Sequence, residues 1–258
     1  MQLGSYDFIV INSSAGKDSQ AMTDVICQQA KDEGVLARVL MVHADLGRVE
    51  WQGTKELAEE HARHYGISFV VVKRTTPRDL LVEVQHRGKW PSSTTRYCTS
   101  YYKRDAVLKL FTQLSRGRER THILNCLGFR SEESPARAKR IAFALNERAT
   151  TSSRITHDWL PIHTWTTEQV WERIRQAGTR AHPAYALGMP RLSCCFCIFA
   201  PKSALMLAGK HNPQLLDEYV KVEQEIGHRF RKELSLLEVQ QELQAGVEPG
   251  PVRTWAMS

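Results

Sequence analysis

The chain has no apolar run near the roughly 20 residues that a membrane-crossing helix needs. Its first residues, MQLGSYDF, lack the basic-then-apolar layout of a secretory leader. A cytoplasmic protein with no membrane association is the expectation. Cysteines are few for this length: Cys27, Cys98, Cys126, Cys194, Cys195 and Cys197 among 258 residues. Such usage excludes the disulfide framework of a small secreted domain and leaves metal binding, redox chemistry or plain burial. There is also no internal repeat and no low-complexity tract, which excludes solenoid, fibrous and disordered classes.

What is present fits a large globular chain. Hydrophobic residues make up 42% of it, enough for a sizeable core. Lys and Arg number 35 against 28 Asp and Glu, a net +7 that favours an anionic partner without naming one. The excess is local. From Lys73 to Arg104 eight basic residues stand against Asp79 and Glu83 alone, either as an ordinary solvated face or as a surface for nucleic acid or an acidic protein.

The first third alternates between two periodicities, the pattern of a parallel sheet covered by helices. YDFIVINS reads as a buried strand; Met22, Val25, Ile26 and Ala30 then recur at helical spacing before Gly34. ARVLMVHA reads as a second strand, Trp51 to Tyr65 as a helix closed by Gly66, and ISFVVVKR as a third strand. A helix near Pro77 to His86, the long loop HRGKWPSSTTRYCTS and a helix from about Ser100 to Leu114 follow. THILNCLGF is the fourth strand, Ser134 and Pro135 open another helix, and RITHDWLPIH is the fifth strand, followed by a helix over TTEQVWERIRQAG. From Thr179 the pattern changes to a proline-rich stretch around LSCCFC, then helices from about Asn212 to Leu237 and from Leu236 to Ala245. The expectation is an α/β fold: a doubly wound, mostly parallel five-stranded sheet over residues 1–178, with a small Cys-bearing loop and helical region over 179–258.

The loop SSAGKDS follows the first strand and opens a helix. Ligands of open parallel sheets sit at this place, beyond the carboxyl ends of the strands. Small residues there let backbone N–H groups approach an anion, and Lys17 adds a full positive charge. The spacing is not Walker A, which needs four residues between two glycines and ends in Gly-Lys-Ser or Gly-Lys-Thr.

SSAGKDS resembles instead the PP-loop, Ser-Gly-Gly-Lys-Asp-Ser, of the ATP pyrophosphatase superfamily, with Ala15 in place of the first glycine. The superfamily's fold is adenine nucleotide alpha-hydrolase-like and Rossmann-like. Further stretches resemble its phosphoadenylylsulfate (PAPS) reductase-like branch. HADLGRVEW is similar to an Asp-Thr-Gly element, Leu46 departing; RYCTSYYKRD to an Arg-Tyr/Trp-Cys-Thr segment; GFRSEESPARA to a Gly-Xaa-Arg segment followed by Ser-Pro-Xaa-Arg. HPAYALGMPRLSCCFC is similar to the branch's His-Pro-Xaa-Tyr-Xaa-Xaa-Gly and Cys-Xaa-Xaa-Cys region.

The resemblance implies ATP cleavage between the α and β phosphates, with Mg2+ and cationic side chains meeting the charge on the leaving pyrophosphate. It implies nucleotide contacts from Ser13, Ser14, Ala15, Gly16, Lys17, Asp18, Ser19, His43, Asp45, Gly128, Arg130 and Arg137, with Lys17, Asp18 and Arg130 catalytic. Lys17, Arg130 and Arg137 would surround the phosphates, and Asp18 and Asp45 would position Mg2+ or its waters. The plainer readings are helix caps or loop contacts for the two aspartates, and a surface ion pair with Glu132 or Glu133 for Arg130.

Cys194 and Cys197 stand three apart in a turn-prone segment, a spacing that suits a tetrahedral metal or an iron–sulfur cluster, or else a buried pair of small hydrophobes. The resemblance places Cys98 near the nucleotide. It therefore implies a possible [4Fe-4S] cluster on Cys98, Cys194 and Cys197, Cys195 being the candidate fourth ligand and zinc the alternative metal. Cys27 and Cys126 read as core. A PAPS reductase carries its catalytic cysteine in a later Glu-Cys-Gly-Xaa-His element, and no cysteine follows Cys197 here. The expectation is therefore an ATP pyrophosphatase that activates a substrate for sulfur transfer, closest in character to those of DNA phosphorothioation, with a cysteine desulfurase as partner and DNA as a candidate substrate. The alternatives are a sulfonucleotide reductase acting on adenylylsulfate or PAPS, and a non-catalytic nucleotide-binding subunit. The oligomeric state is not legible.

Overall fold

The computed structural model describes residues 1–76 and 78–255. They form two units. The first comprises residues 1–45, 53–73 and 104–182; the second comprises 46–52, 74–103 and 183–258. The linear division at residue 178 thus differs at three places: 46–52 and 74–103 join the C-terminal region through side-chain packing between residues far apart in sequence, and 179–182 stay with the first unit.

The first unit is built on one sheet with strands β1 Phe8–Asn12, β2 Val39–Ala44, β3 Ser68–Val72, β4 Thr121–Cys126, β5 Phe143–Leu145 and β6 Arg154–Trp159. Their spatial order is β3-β2-β1-β4-β6-β5, all neighbours parallel except β5 with β6. The sheet has six strands, not the expected five. The addition is β5, three residues in a stretch whose opening Ser-Pro signalled only a helix. Ile9, Val10 and Ile11 of β1 are completely buried, each contributing about 1.5–3 kcal/mol by leaving water.

On one face of the sheet helix α1 Lys17–Asp32 packs against both α2 Thr54–Tyr65 and α7 Thr167–Ala177. On the other face α5 Asp105–Leu114 buries Val107, Leu110 and Phe111 against Val10, Leu40, Val42 and Ile123. The short α6 Pro135–Ala138 is capped by the Ser134 hydroxyl, which accepts from the Arg137 N–H. Order reverses at β1: β2 and β3 lie to one side, β4 and β6 to the other. The loop after β1 therefore opens at the switch point where such sheets bind ligands.

The second unit holds α3 Leu80–Arg87, the single turn α4 Tyr97–Thr99, α8 Lys202–His211, α9 Pro213–Ile226 and α10 Leu236–Gln244. Pro77, the expected start of α3, lies outside the described residues; Asp79 caps that helix, its carboxylate accepting from the Val82 N–H. The helix expected over Ser100–Leu114 begins instead as the turn α4, runs as a π-helical stretch over Ser100–Arg104 and becomes α-helical only in α5. The long helix expected over 212–237 ends at Ile226, and α8 precedes it. One core joins Trp51, Leu81, Val84, Trp90, Phe196, Tyr219, Phe230 and Leu236, with Trp90 stacked on Tyr219. Among the described residues no helix is long and apolar enough to cross a membrane.

Candidate active site

The loop after β1 is tied down before it meets any ligand. The Ser13 N–H donates to the Val42 carbonyl at 2.9 Å, and His43 Nδ1 donates to the Ser13 carbonyl at 3.0 Å. His43 is 1% exposed, so its role here is to hold loop backbone. Ser19 Oγ donates to the Gly16 carbonyl at 2.9 Å and accepts from the Ser14 N–H at 3.3 Å, while Ser13 Oγ accepts from the Ala15 N–H. Ala15 is completely buried with φ 55°, the non-glycine residue with positive φ among those described. The left-handed conformation that a glycine would supply freely is thus present, at a cost of about 1–2 kcal/mol to an L-residue.

Gly16 is the N-cap of α1 and supplies no side-chain cap. The first N–H groups of this 16-residue helix therefore have no side-chain cap from Gly16, an arrangement that can hold an anion. Lys17, 5% exposed at its side chain, pairs with Asp18 Oδ2 at 3.3 Å. The other oxygen, Asp18 Oδ1, accepts from Arg130 Nε at 2.6 Å.

Arg130 is almost wholly buried. Its guanidinium also donates to Glu132 Oε2, the Trp165 carbonyl and Thr167 Oγ1 at 2.9, 3.1 and 3.2 Å. Burial by itself lowers its pKa, and the carboxylates of Asp18, Glu133 and Glu132 together more than offset this, so the guanidinium stays charged. The side chain expected among the phosphates thus holds Asp18 in this structure, and of the expected plainer partners Glu132 is one. Arg137 pairs with Glu133 and lies over the Phe129 ring, 4.4 Å from its centroid. Asp45, at the end of β2, pairs with Lys73 at 2.8 Å.

Gly128 has a reason to be glycine that sequence alone did not show. A Cβ there would stand 3.1 Å from the Asp18 carbonyl carbon and the Ser19 nitrogen, so the chain leaving β4 presses on the first turn of α1. The loop, His43, Asp18, Gly128 and Arg130 thus form one connected group at the carboxyl ends of β1, β2 and β4.

In the second unit Cys98, Cys194 and Cys197 are partly buried against the core that holds Cys195. The Tyr219 phenol is pushed well above its ordinary pKa by burial and by the neighbouring thiols of Cys194, Cys195, Cys197 and Cys98. Tyr219, which sequence reasoning did not single out, thus shares one core with all four cysteines. Nothing in a helical apolar repeat distinguishes Tyr219 from any other core residue.

Residues 8–200 match the phosphoadenosine phosphosulfate reductase domain. The chain belongs to that family. A relative from Escherichia phage 186, described as an uncharacterized 37.8 kDa protein, is 32% identical over 119 residues, which are 46% of this chain and 34% of the relative. The chain thus matches about one third of that relative's length. Among solved structures, the phosphoadenylyl-sulfate reductase of Candida auris in its phosphate complex is similar with a TM-score of 0.51 at 16% identity, over 74% of this chain and 83% of that one. The Candida glabrata FMN adenylyltransferase with FMN and the ATP analogue AMPCPP is similar with a TM-score of 0.50 at 11% identity, over 73% of this chain and 55% of that one. At such identities these likenesses establish the Rossmann-like α/β fold.

Four of the cysteines of this reductase-family domain, Cys98, Cys194, Cys195 and Cys197, are the candidates for a metal centre. The donor set is entirely sulfur in apolar surroundings, the chemistry that suits zinc or an iron–sulfur cluster. Among the described residues, however, no three His, Cys, Asp or Glu side chains are placed to hold a metal ion. The soft donors fit; a ready-made single-ion site is not there. Burial raises the Cys194 and Cys197 thiols, with Lys103 pulling the other way on both, and pushes Cys195 up to about 12. Cys195 is 1% exposed and its N–H donates to the Val49 carbonyl at 2.9 Å, which gives it to the core. Cys27 and Cys126 are buried as expected.

Proposed function

We propose that the domain is an ATP pyrophosphatase that adenylates an acceptor for sulfur transfer. The observation carrying this reading is the uncapped N-terminus of α1 after the central strand, with Lys17 and the Arg130-braced Asp18 at its first turn, in a chain of this family. Backbone N–H groups of the loop would hold the β and γ phosphates. Lys17 would exchange part of its pairing with Asp18 for the charge developing on the leaving pyrophosphate. Arg130 would keep Asp18 in place during that exchange, and Asp18 and Asp45 would carry Mg2+ or its waters, Mg2+ supplying further charge neutralisation. The phosphate held by the Candida auris reductase and the ATP analogue held by the Candida glabrata enzyme support an adenine nucleotide as the guest.

Cys98, Cys194 and Cys197 would have to draw closer together than they stand among the described residues to hold a [4Fe-4S] cluster, or zinc in the alternative, and a cluster would supply an iron site for sulfide. The sulfur source would be a cysteine desulfurase, and the acceptor DNA, as in phosphorothioation. The excess of basic residues over 73–104 supports an anionic acceptor. A test is incubation with ATP and Mg2+: AMP and pyrophosphate are expected, and ADP with phosphate would overturn the assignment. The family match also favours a sulfonucleotide reductase. Sulfite release from adenylylsulfate or PAPS with thioredoxin, without pyrophosphate from ATP, would select that reading.

A further inference from the structure

Within the second unit three tyrosines and two arginines alternate ring and guanidinium. The Arg87 guanidinium lies 4.6 Å from the Tyr97 ring centroid and 5.3 Å from that of Tyr101, and Arg74 lies 5.4 Å from Tyr101 and 4.9 Å from Tyr102. The order along this ladder is Tyr97, Arg87, Tyr101, Arg74, Tyr102. The backbone explains how one short segment supplies all three rings. In the π-helical stretch over Ser100–Arg104 each turn is wider than in an α-helix, so Tyr101 and Tyr102, four and five residues past Tyr97, come round to one side. Glu83 holds both guanidinium groups: 2% exposed at its side chain, it pairs through Oε1 with Arg87 Nε at 2.6 Å and through Oε2 with Arg74 Nη1 at 2.7 Å.

The rings are not buried alike. Tyr97 and Tyr102 are 2% and 3% exposed, whereas Tyr101, at the centre, is 39% exposed. Packing alone gains most by burying the central ring, which is the one left open. The outer rings also place charge. The Tyr97 hydroxyl donates to the Lys89 carbonyl and the Tyr102 hydroxyl to the Arg78 carbonyl, both at 2.9 Å, which sets a cationic residue at each end of the ladder. Lys89 is exposed and appears in none of the ion pairs of the described residues; Arg78 stands 3.9 Å from Glu83, a loose pairing. The acids of 74–103 are Asp79 and Glu83. Glu83 is engaged by the arginines, and Asp79 pairs with Arg48 at 2.9 Å. Glu225 of α9 accepts from Gln85, which stands nearly opposite Glu83 around α3. The open side of the ladder thus offers an aromatic ring in positive surroundings.

We infer that this ladder is a binding surface for single-stranded nucleic acid. A base stacks on Tyr101 and the guanidinium planes beside it, and the flanking phosphates meet Arg78 and Lys89. Because Glu83 already holds both arginines, stacking costs little further ordering. A duplex suits this surface poorly, since its bases are stacked on one another and it offers chiefly phosphate. An acidic protein segment would satisfy the two end charges but leaves the open ring unexplained. The inference does not rest on the nucleotide reading. Strand binding is measured without ATP, so it and pyrophosphate release can fail separately.

The experiment is fluorescence anisotropy of the full chain with a fluorescein-labelled thymidine oligomer of about 15 nucleotides, its uridine counterpart and a duplex of equal length. The single strands should bind at micromolar concentration in about 0.1 M salt, and the duplex about tenfold more weakly. The sugar that binds more tightly identifies the strand as DNA or RNA. Tyr101→Ala should weaken single-strand binding about tenfold, and Tyr101→Phe, which keeps the ring, should stay within about twofold of the unaltered chain. Arg78→Ala should lower the slope of log affinity against log salt by about 0.7. An oligomer carrying iodouracil should photocrosslink to Tyr101, located by peptide mass spectrometry; should Tyr101→Ala fail to fold, this crosslink on the unaltered chain decides. No single-strand binding up to about 100 µM, equal binding of the duplex, full affinity in a folded Tyr101→Ala, crosslinks that avoid Tyr101, or tighter binding of a polyglutamate peptide would each overturn the proposal.

Discussion

The loop after β1 and the cysteine group solve opposite problems with opposite means. At the loop, charge is already in place: Lys17 and Arg130 each hold one oxygen of Asp18, and Arg130 is itself held at Glu132, Trp165 and Thr167. Around Cys194 and Cys197, charge is suppressed, because apolar packing raises the thiols and keeps them protonated. The first site is organised before its ligand arrives. The second gathers its donors but leaves their ionisation to whatever binds there.

This contrast can be broken most decisively at Lys17. Lys17→Ala should lower pyrophosphate release from ATP by about 10²–10³-fold, since one preorganised cation is lost, with thermal stability little changed. Normal turnover in that variant would remove Lys17 from the site. The cysteine side is tested by alkylation of the reduced, metal-free protein under native conditions. A raised thiol pKa means that thiolate is scarce at pH 8 and increases as pH rises. Iodoacetamide labelling of Cys194 and Cys197, read by peptide mass spectrometry, should still be climbing as pH passes the ordinary thiol value. A plateau near the ordinary value of about 8.5 would show thiols that burial does not perturb. The smallest effect concerns Ala15. Ala15→Gly relieves the left-handed alanine but adds unfolded-state entropy, so a gain of about 1 kcal/mol or less is expected by chemical denaturation. A clear loss of stability would show that the methyl group contributes more by burial than its backbone costs.

Much of the first unit was legible because its signals are local. Five of the six strands, with α1, α2 and α7, follow from short apolar runs, helical spacing and their stop residues. β5 was missed because three residues cannot display a period, and α8 because the proline-rich stretch before it masked its start. The place of the loop between β1 and α1 was legible, and Ala15 could be questioned from sequence; its φ had to come from the fold. Arg130 shows the limit more sharply. Its residue type and motif suggest phosphate, yet its partners come from positions 18, 132, 165 and 167, contacts that no local pattern announces. The assignment of 46–52 and 74–103 to the second unit has the same origin, since Trp51, Leu81 and Trp90 complete a core made chiefly by residues after 183.

The bracing of Arg130 also orders events during synthesis. The loop is translated among the first 20 residues, but two of the four acceptors that fix the guanidinium, Trp165 and Thr167, leave the ribosome much later. Gln20, one residue past the loop, anchors still later ones, Thr179 and the Arg180 carbonyl. A nascent chain halted before Thr167 would therefore carry the whole loop while holding Asp18 loosely, and the site would set only when nearly all of the first unit had emerged.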